Sequence, residues 1–218
     1  MVHEITSIPL VDTITMAMLA TGLAMVGSRR IDRAIRMVTI QAFLTSLLVT
    51  LIGYSTGDWH LYLVAVVTFL VKGIAAPGIL LLVLKRVNLK LEVEMYVGRT
   101  ASLVLACGLI LLAYYITGPF VELGAPRNML SVSMALLLIG LFMMVTRKTA
   151  LMQVLGFLLM ENGVFMTAVS TTLGMPLIVE MGIFLDVLVG VGIMGLLSQR
   201  INDKFASIET TKLNSLKG

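Results

Sequence analysis

With 58% apolar residues, only 13% charged residues and a mean hydropathy of +1.01 over 218 residues, the chain has more apolar surface than a soluble core of this size can hide. The formal net charge is +4; because the basic residues cluster between apolar runs, they describe a membrane topology and give no ground for nucleic-acid binding. The single cysteine, Cys107, sits inside an apolar run, where it is read as packing; it excludes an internal disulfide and a multi-cysteine cluster, and His3 and His60 lack a second ligand at metal spacing, so no cofactor is expected in this chain.

A membrane span needs about 20 mainly apolar residues. Seven such stretches follow in order: 9–27, 37–53, 60–84, 100–117, 128–145, 150–173 and 177–199. The fold class read from them is all-α, a polytopic membrane protein with seven transmembrane helices. The first stretch is read as a permanent helix and not a secretory signal, because Glu4 and Asp12 stand where a basic leader would be and no small-residue cleavage pattern precedes Arg29.

Arg29, Arg30, Arg33 and Arg36 follow the first span, Lys85, Arg86, Lys90 and Arg99 the third, Arg147 and Lys148 the fifth, and Arg200, Lys204, Lys212 and Lys217 the seventh. Arg127 alone lies on the opposite side. The positive-inside rule then puts the N-terminus outside and the C-terminus in the cytoplasm of a cell membrane.

Besides Asp12 and His60 near the starts of the first and third, four charged residues fall within the spans: Lys72, Glu161, Glu180 and Asp186. At 1.5 Å per residue, Lys72, Glu161 and Asp186 lie roughly 14–18 Å along their helices, near the midplane, where each costs about 2.5–3.5 kcal/mol to insert. Glu180 is close to a helix N-terminus, where the macrodipole favours a carboxylate without any function. Two acids against one amine leave an uncompensated carboxyl in low dielectric, which makes Glu161, Asp186 and Lys72 proton-transfer candidates. The alternative is that these charges only pair and fix helix packing.

The flanking sequence supports close helix approach. Gly182, Asp186 and Gly190 share one face, and Thr68, Lys72 and Ala76 another. Pro77 cannot donate its own hydrogen bond and crowds the carbonyl of Gly73, beside Lys72. Asn162, next to Glu161, and Gln153, eight residues before it, are candidate hydrogen-bond partners of the acid or its waters. The 16 methionines are spread through the spans as adaptable packing.

An internal repeat is legible. Lys72 precedes Arg86, and Asp186 precedes Arg200, by the same interval, with GIAAPGILLLVLKR answering VLVGVGIMGLLSQR; Gln41 is an approximate counterpart of Glu161. Because four helices separate equivalent positions, the two three-helix units are parallel, with the fourth helix as connector. The units are 1–87 and 128–201, joined by a cytoplasmic connector and fourth helix at 88–127 and followed by a polar tail at 202–218. From Asn88 to Val97 apolar and polar residues alternate with period two, an extended segment that lies against the helix ends or pairs with a partner chain.

Taken together, FLVKGIAAPGILL around Lys72, GFLLMENGVFM around Glu161, LIVEMGIFLDVLVGVGIMGLL around Glu180 and Asp186, and the terminal LNSLKG resemble component E of the hydrogenase-4 and formate hydrogenlyase group. The unit 128–201 also resembles chain 4L of respiratory complex I and the matching small subunit of multisubunit cation/proton antiporters. The resemblance implies a non-catalytic membrane-arm subunit of an energy-converting nickel–iron hydrogenase. Its partners would be antiporter-like and quinone-site-like membrane chains and peripheral hydrogenase subunits, with the nickel–iron centre and iron–sulfur clusters held by those partners. Glu161 then matches a buried glutamate of chain 4L and Asp186 stands where that chain has a second acid, while Lys72 has no equivalent there. An autonomous secondary transporter and a purely structural membrane anchor are the alternatives.

Overall fold

The computed structural model describes residues 9–86, 95–122 and 126–172. All regular structure among them is helical. The chain runs through α1 (Pro9–Val26), α2 (Ile31–Thr56), α3 (Trp59–Thr68, a π-helical stretch Phe69–Ala75, then Ala76–Arg86), α4 (Arg99–Glu122), α5 (Arg127–Thr146) and α6 (Ala150–Thr172). Six helices are long and apolar enough to cross a membrane, so the chain is a multi-pass helical membrane protein. The seventh predicted span at 177–199, with Glu180 and Asp186, which is the last helix of the second repeat unit, and the tail lie outside the described residues.

The turns explain why neighbouring helices run antiparallel. Gly57 closes α2 in the left-handed region (φ 71°), its N–H on Gly53 O at 2.9 Å, a position that a residue with a Cβ rarely adopts. Asp58 follows as the N-cap of α3, accepting from the His60 N–H at 3.0 Å. At the other end of α2 the helix starts six residues before the predicted span. Asp32 in the first turn accepts from Arg30 (3.0 Å) and Arg36 (3.4 Å), so Arg33 and Arg36 stand on a helix and not in the loop assigned to them.

In the middle of α3 the sequence forces a departure from α geometry. Pro77 has no N–H to return to Gly73, and the helix widens over Phe69–Ala75 so that the Ala76 N–H reaches Val71 O, five residues back. Lys72 lies in this widened turn. The Phe69 ring fills the space that a side chain at position 73 would take, 2.9 Å from an added Cβ, and meets Phe43 of α2 edge-on at 6.1 Å.

The tightest seam joins α5 to α6. A Cβ at Gly140 would run into the main chain of Met160 and Gly156, one at Gly156 would stand 3.0 Å from Gly140 O, and one at Gly163 would meet Leu137 N at 2.5 Å and Ser133 O at 2.7 Å. The two backbones are therefore in direct contact, which only glycine permits. Hydroxyls add to the seams: Thr167 to Ser133 at 2.9 Å, Thr117 of α4 to Ser131 of α5 at 2.7 Å, and Ser46 of α2 donating to Ala65 O of α3 at 2.8 Å. Met18, Met25, Met143, Met152 and Met166 are fully buried in the shared core with Leu136, Ile139 and Leu155, as irregular gaps between helices favour.

α4 is peripheral: 17% of its apolar window is buried, against 61% for α5 and α6. Cys107 is on its exposed side, which corrects the expectation that the thiol packs inside the bundle. The extended connector lies against the helix ends in the part that is described, since Met95 bridges Arg147 in antiparallel sense and the Tyr96 N–H donates to Thr146 O at 3.0 Å. Lys148 caps this contact, its Nζ 4.9 Å from the centre of the Tyr96 ring.

The glycine seam yields a direct test. Gly140→Ala is expected to lower stability in detergent by about 1–3 kcal/mol, since main chain on both sides prevents relaxation; Gly108→Ala, where an added Cβ meets nothing within 4 Å, is expected to leave the unfolding midpoint unchanged. Equal midpoints for the two variants would show that α5 and α6 do not pack backbone to backbone.

Candidate functional site

Three helices build the site. α2 lies against both the π segment of α3 and α6, and the long side chain of Lys72 reaches from that segment to α6. Lys72 Nζ stands 3.4 Å from Glu161 Oε2 and donates to Asn162 Oδ1 at 3.2 Å. Lys72, Glu161 and Asn162 are 2%, 2% and 1% exposed, so the group is closed to bulk water. Glu161 lies about 17 Å along α6, well away from either helix end.

Each position has a local cause. Glu161 and Asn162 are neighbours on α6, about 100° apart around its axis, and one ammonium with three donors can serve both. Gly156 and Gly163 bracket them and hold that stretch of α6 against α5, so the two side chains turn toward α3. The wider π turn displaces Lys72 from the register it would have in an α-helix. The arrangement is an ion pair with an additional neutral acceptor on the cation. In low dielectric such a pair persists only if both charges stay matched, because burying an isolated ion costs several kcal/mol.

Of the sequence candidates, the structure brings together Lys72, Glu161 and Asn162. Gln41 is also buried, 1% exposed, at about the same depth as Glu161 on the facing helix. Its Oε1 lies 2.7 Å from Thr21 Oγ1 of α1, which is 2.8 Å from Met18 O. Thr21 has one hydroxyl proton for two acceptors; turning the Gln41 amide, so that Nε2 donates to Thr21 and Thr21 donates to Met18 O, satisfies all three groups and gives the otherwise unpartnered Nε2 its acceptor. Gln153 does not reach Glu161. Its Nε2 donates to Arg147 O at 2.9 Å, at the start of α6, so the expected hydrogen bond to the acid is replaced by a turn-stabilising one.

Sequence reasoning missed Arg147, which it counted among loop charges. The side chain is fully buried; Nη2 donates to Val26 O at 2.6 Å, capping the C-terminal end of α1, while Nε and Nη1 have no hydrogen-bond partner. Burial pushes its guanidinium below the ordinary value. The only sequence signal was its place between two spans, which a solvated loop arginine shares.

The pair invites a double-mutant cycle. Lys72→Met and Glu161→Met are each expected to destabilise the chain by about 3–5 kcal/mol, because each removes the opposite charge that the other buried group faces at 3.4 Å; the double variant is expected to lose clearly less than the sum. Thermal or denaturant unfolding in detergent reads all four corners, and strictly additive losses would mean that the two groups do not interact.

No protein-family model matches the chain, and no solved structure matches it. Among curated proteins, Uncharacterized protein Rv0085 of Mycobacterium tuberculosis is 31% identical over 211 residues, covering 95% of this chain and 96% of that one. Hydrogenase-4 component E of Escherichia coli K12 and of Shigella flexneri are each 27% identical over 153 residues, covering 69% of this chain and 70% of theirs. At that identity over nearly their whole lengths, this chain belongs to the same family as the mycobacterial protein Rv0085, and is more distantly similar to hydrogenase-4 component E.

Proposed function

We propose that the chain is a non-catalytic membrane-arm subunit of an energy-converting nickel–iron hydrogenase or formate hydrogenlyase-type complex, and that it carries protons within that complex. The observation that carries the proposal is the Lys72–Glu161 pair, two ionisable groups held 3.4 Å apart at 3% and 2% side-chain exposure inside a membrane bundle. Intramembrane charges of this kind are costly and mark ion pathways and proton relays. The similarity to hydrogenase-4 component E supports the redox setting.

In this reading Glu161 is the station that takes and gives up the proton. While Glu161 is ionised, Lys72 faces it as a counter-ion, and Asn162 Oδ1 is a second, neutral acceptor for the lysine. Asp186 would be the second carrier along the path, with Glu180 near its outer mouth and Gln41 as a neutral polar group on the facing helix. Metal and cluster chemistry would belong to partner subunits, and antiporter-like and quinone-site-like chains would be the membrane neighbours. A structural anchor shares the same contacts and is separated by function alone.

Glu161→Gln keeps the size of the side chain and an acceptor for Lys72 but removes the exchangeable proton. The complex is expected to assemble and to lose most proton translocation per redox turnover, while Glu161→Asp retains part of it. Proton uptake in sealed vesicles, normalised to assembled complex and to electron transfer, measures this; pumping at the wild-type ratio in the Gln variant would remove Glu161 from the path.

The proposed orientation has the N-terminus outside and the C-terminus in the cytoplasm, which the bias of basic residues between the spans supports. An epitope placed after Gly218 is expected to be protected in intact cells and reachable in inverted vesicles. A cysteine in place of Trp59, exposed just after the α2–α3 turn, is expected to label in the opposite pattern. Both sites on one side would break the count of seven spans.

A further inference from the structure

We infer that Pro77 is a positioning residue for the Lys72–Glu161 site. By withholding one main-chain N–H it holds open the widened turn of α3, and that turn acts as a one-residue insertion that keeps Lys72 in register with both halves of its helix. The functional weight of this inference rests on the proton-station reading; its structural content does not.

Leu61, Ala65 and Thr68 line the buried side of the first half of α3, and from Thr68 onward buried residues recur every fourth position, at Lys72, Ala76, Leu80 and Leu84. α2 packs against α3 before, within and after the π stretch, so one face stays turned to one neighbour along the whole helix. An unbroken α-helix cannot do this: each step of four residues advances the face by about 40°, and the four steps from Thr68 to Leu84 add up to roughly 160°. The π stretch Phe69–Ala75, in which the Ala76 N–H reaches Val71 O, takes up one residue more than an α turn and so returns about 100° of that drift. The rest, roughly 60°, is narrower than the apolar stripe of a packed helix.

Lys72 stands inside this turn. Were α3 plain α-helix, its two halves could not both face α2, and Lys72 would be carried round with whichever half gave way, off Glu161 Oε2 at 3.4 Å and Asn162 Oδ1 at 3.2 Å. Packing favours the turn, but an N–H at position 77 could close the ordinary bond to Gly73 O and keep the α form in competition. Proline removes that competitor. Pro77 therefore acts on Lys72 through the backbone between them.

The test uses the full chain in detergent. Lys72→Met, Glu161→Met and the double variant are compared by unfolding midpoint, once in the native background and once with Pro77→Ala, which restores the N–H. The non-additivity of the native cycle is expected to drop to about half or less in the Pro77→Ala background, as for two groups that have moved apart. A proline with a merely structural role would shift the midpoints alike and leave the non-additivity intact, and that result would overturn the inference. Additive losses already in the native background would overturn it too, because there would be no contact for Pro77 to set.

If Pro77→Ala does not fold, Ile74 is deleted in that background. The deletion takes out the added residue, so both halves can face α2 in plain α geometry and only the widened turn is lost. The same drop in non-additivity is expected there. A native-sized value would overturn the inference, and so would failure of both chains to fold, since the turn would then be a requirement of folding and not a register device. Because the cycle is read on the chain alone, its failure is distinct from a failure of the proton-station reading, which shows as wild-type pumping in Glu161→Gln.

Discussion

A charge in the middle of an apolar bundle must be matched within reach of its own side chain, and the described helices are arranged around that requirement. Lys72 and Glu161 stand on helices that are not immediate neighbours along the chain, so their pairing at 3.4 Å fixes how the first three helices meet the last described one. α2 lies against both the π segment of α3 and α6. Removing one partner would leave an ion whose effective penalty is several kcal/mol, comparable with the whole stability of a domain. The pair thus couples the two halves of the bundle more strictly than dispersion contacts could.

Dispersion and close approach do the rest, since lipid offers apolar side chains as good a medium as the bundle interior does. This explains why the best-packed seam, α5 on α6, is made by glycines and not by large residues. Gly140, Gly156 and Gly163 allow main chain to touch main chain, and that contact fixes the rotation of α6, which in turn decides that Glu161 and Asn162 face inward. The peripheral helix α4 packs on α5 with its small residues Ser102, Ala106, Ala113 and Thr117 buried, and Thr117 shares a hydroxyl contact with Ser131. Its exposed residues, among them Val104, Leu111 and Tyr115, are apolar enough for lipid.

Hydropathy placed six of the seven spans to within a few residues, because a run of about 20 apolar residues is a length requirement that sequence states directly. Helix ends were less legible: α2 begins at Ile31, among the arginines, because a helix can extend past the hydrocarbon with Asp32 pairing its charges. The π turn was foreshadowed by Pro77, whose missing donor is a covalent fact. Which face of each helix is buried was not legible, since core and lipid sides are both apolar and no amphipathic stripe separates them. Hence Gln153, eight residues from Glu161, turned out to serve the Arg147 carbonyl, and Arg147, counted as a loop charge, is buried.

The two buried cations show why burial alone does not mark an ion path. Arg147 is matched by Val26 O at the end of α1, where the macrodipole places partial negative charge, and its guanidinium does not give up its proton in proteins. It is therefore a fixed charge, and the only thing its position can do is hold α1, the 95–96 segment and the start of α6 in one place. Lys72 faces a carboxylate, a group whose charge can be cancelled by a single proton, and has a neutral acceptor in Asn162 that keeps it solvated when that happens. The difference lies in the partner: a dipole cannot titrate, whereas Glu161 can. A buried cation can take part in an ion path only where its counter-charge is exchangeable and where losing that counter-charge does not leave the cation bare; of the two cations, Lys72 has a carboxylate and a neutral acceptor beside it, whereas Arg147 has a main-chain carbonyl.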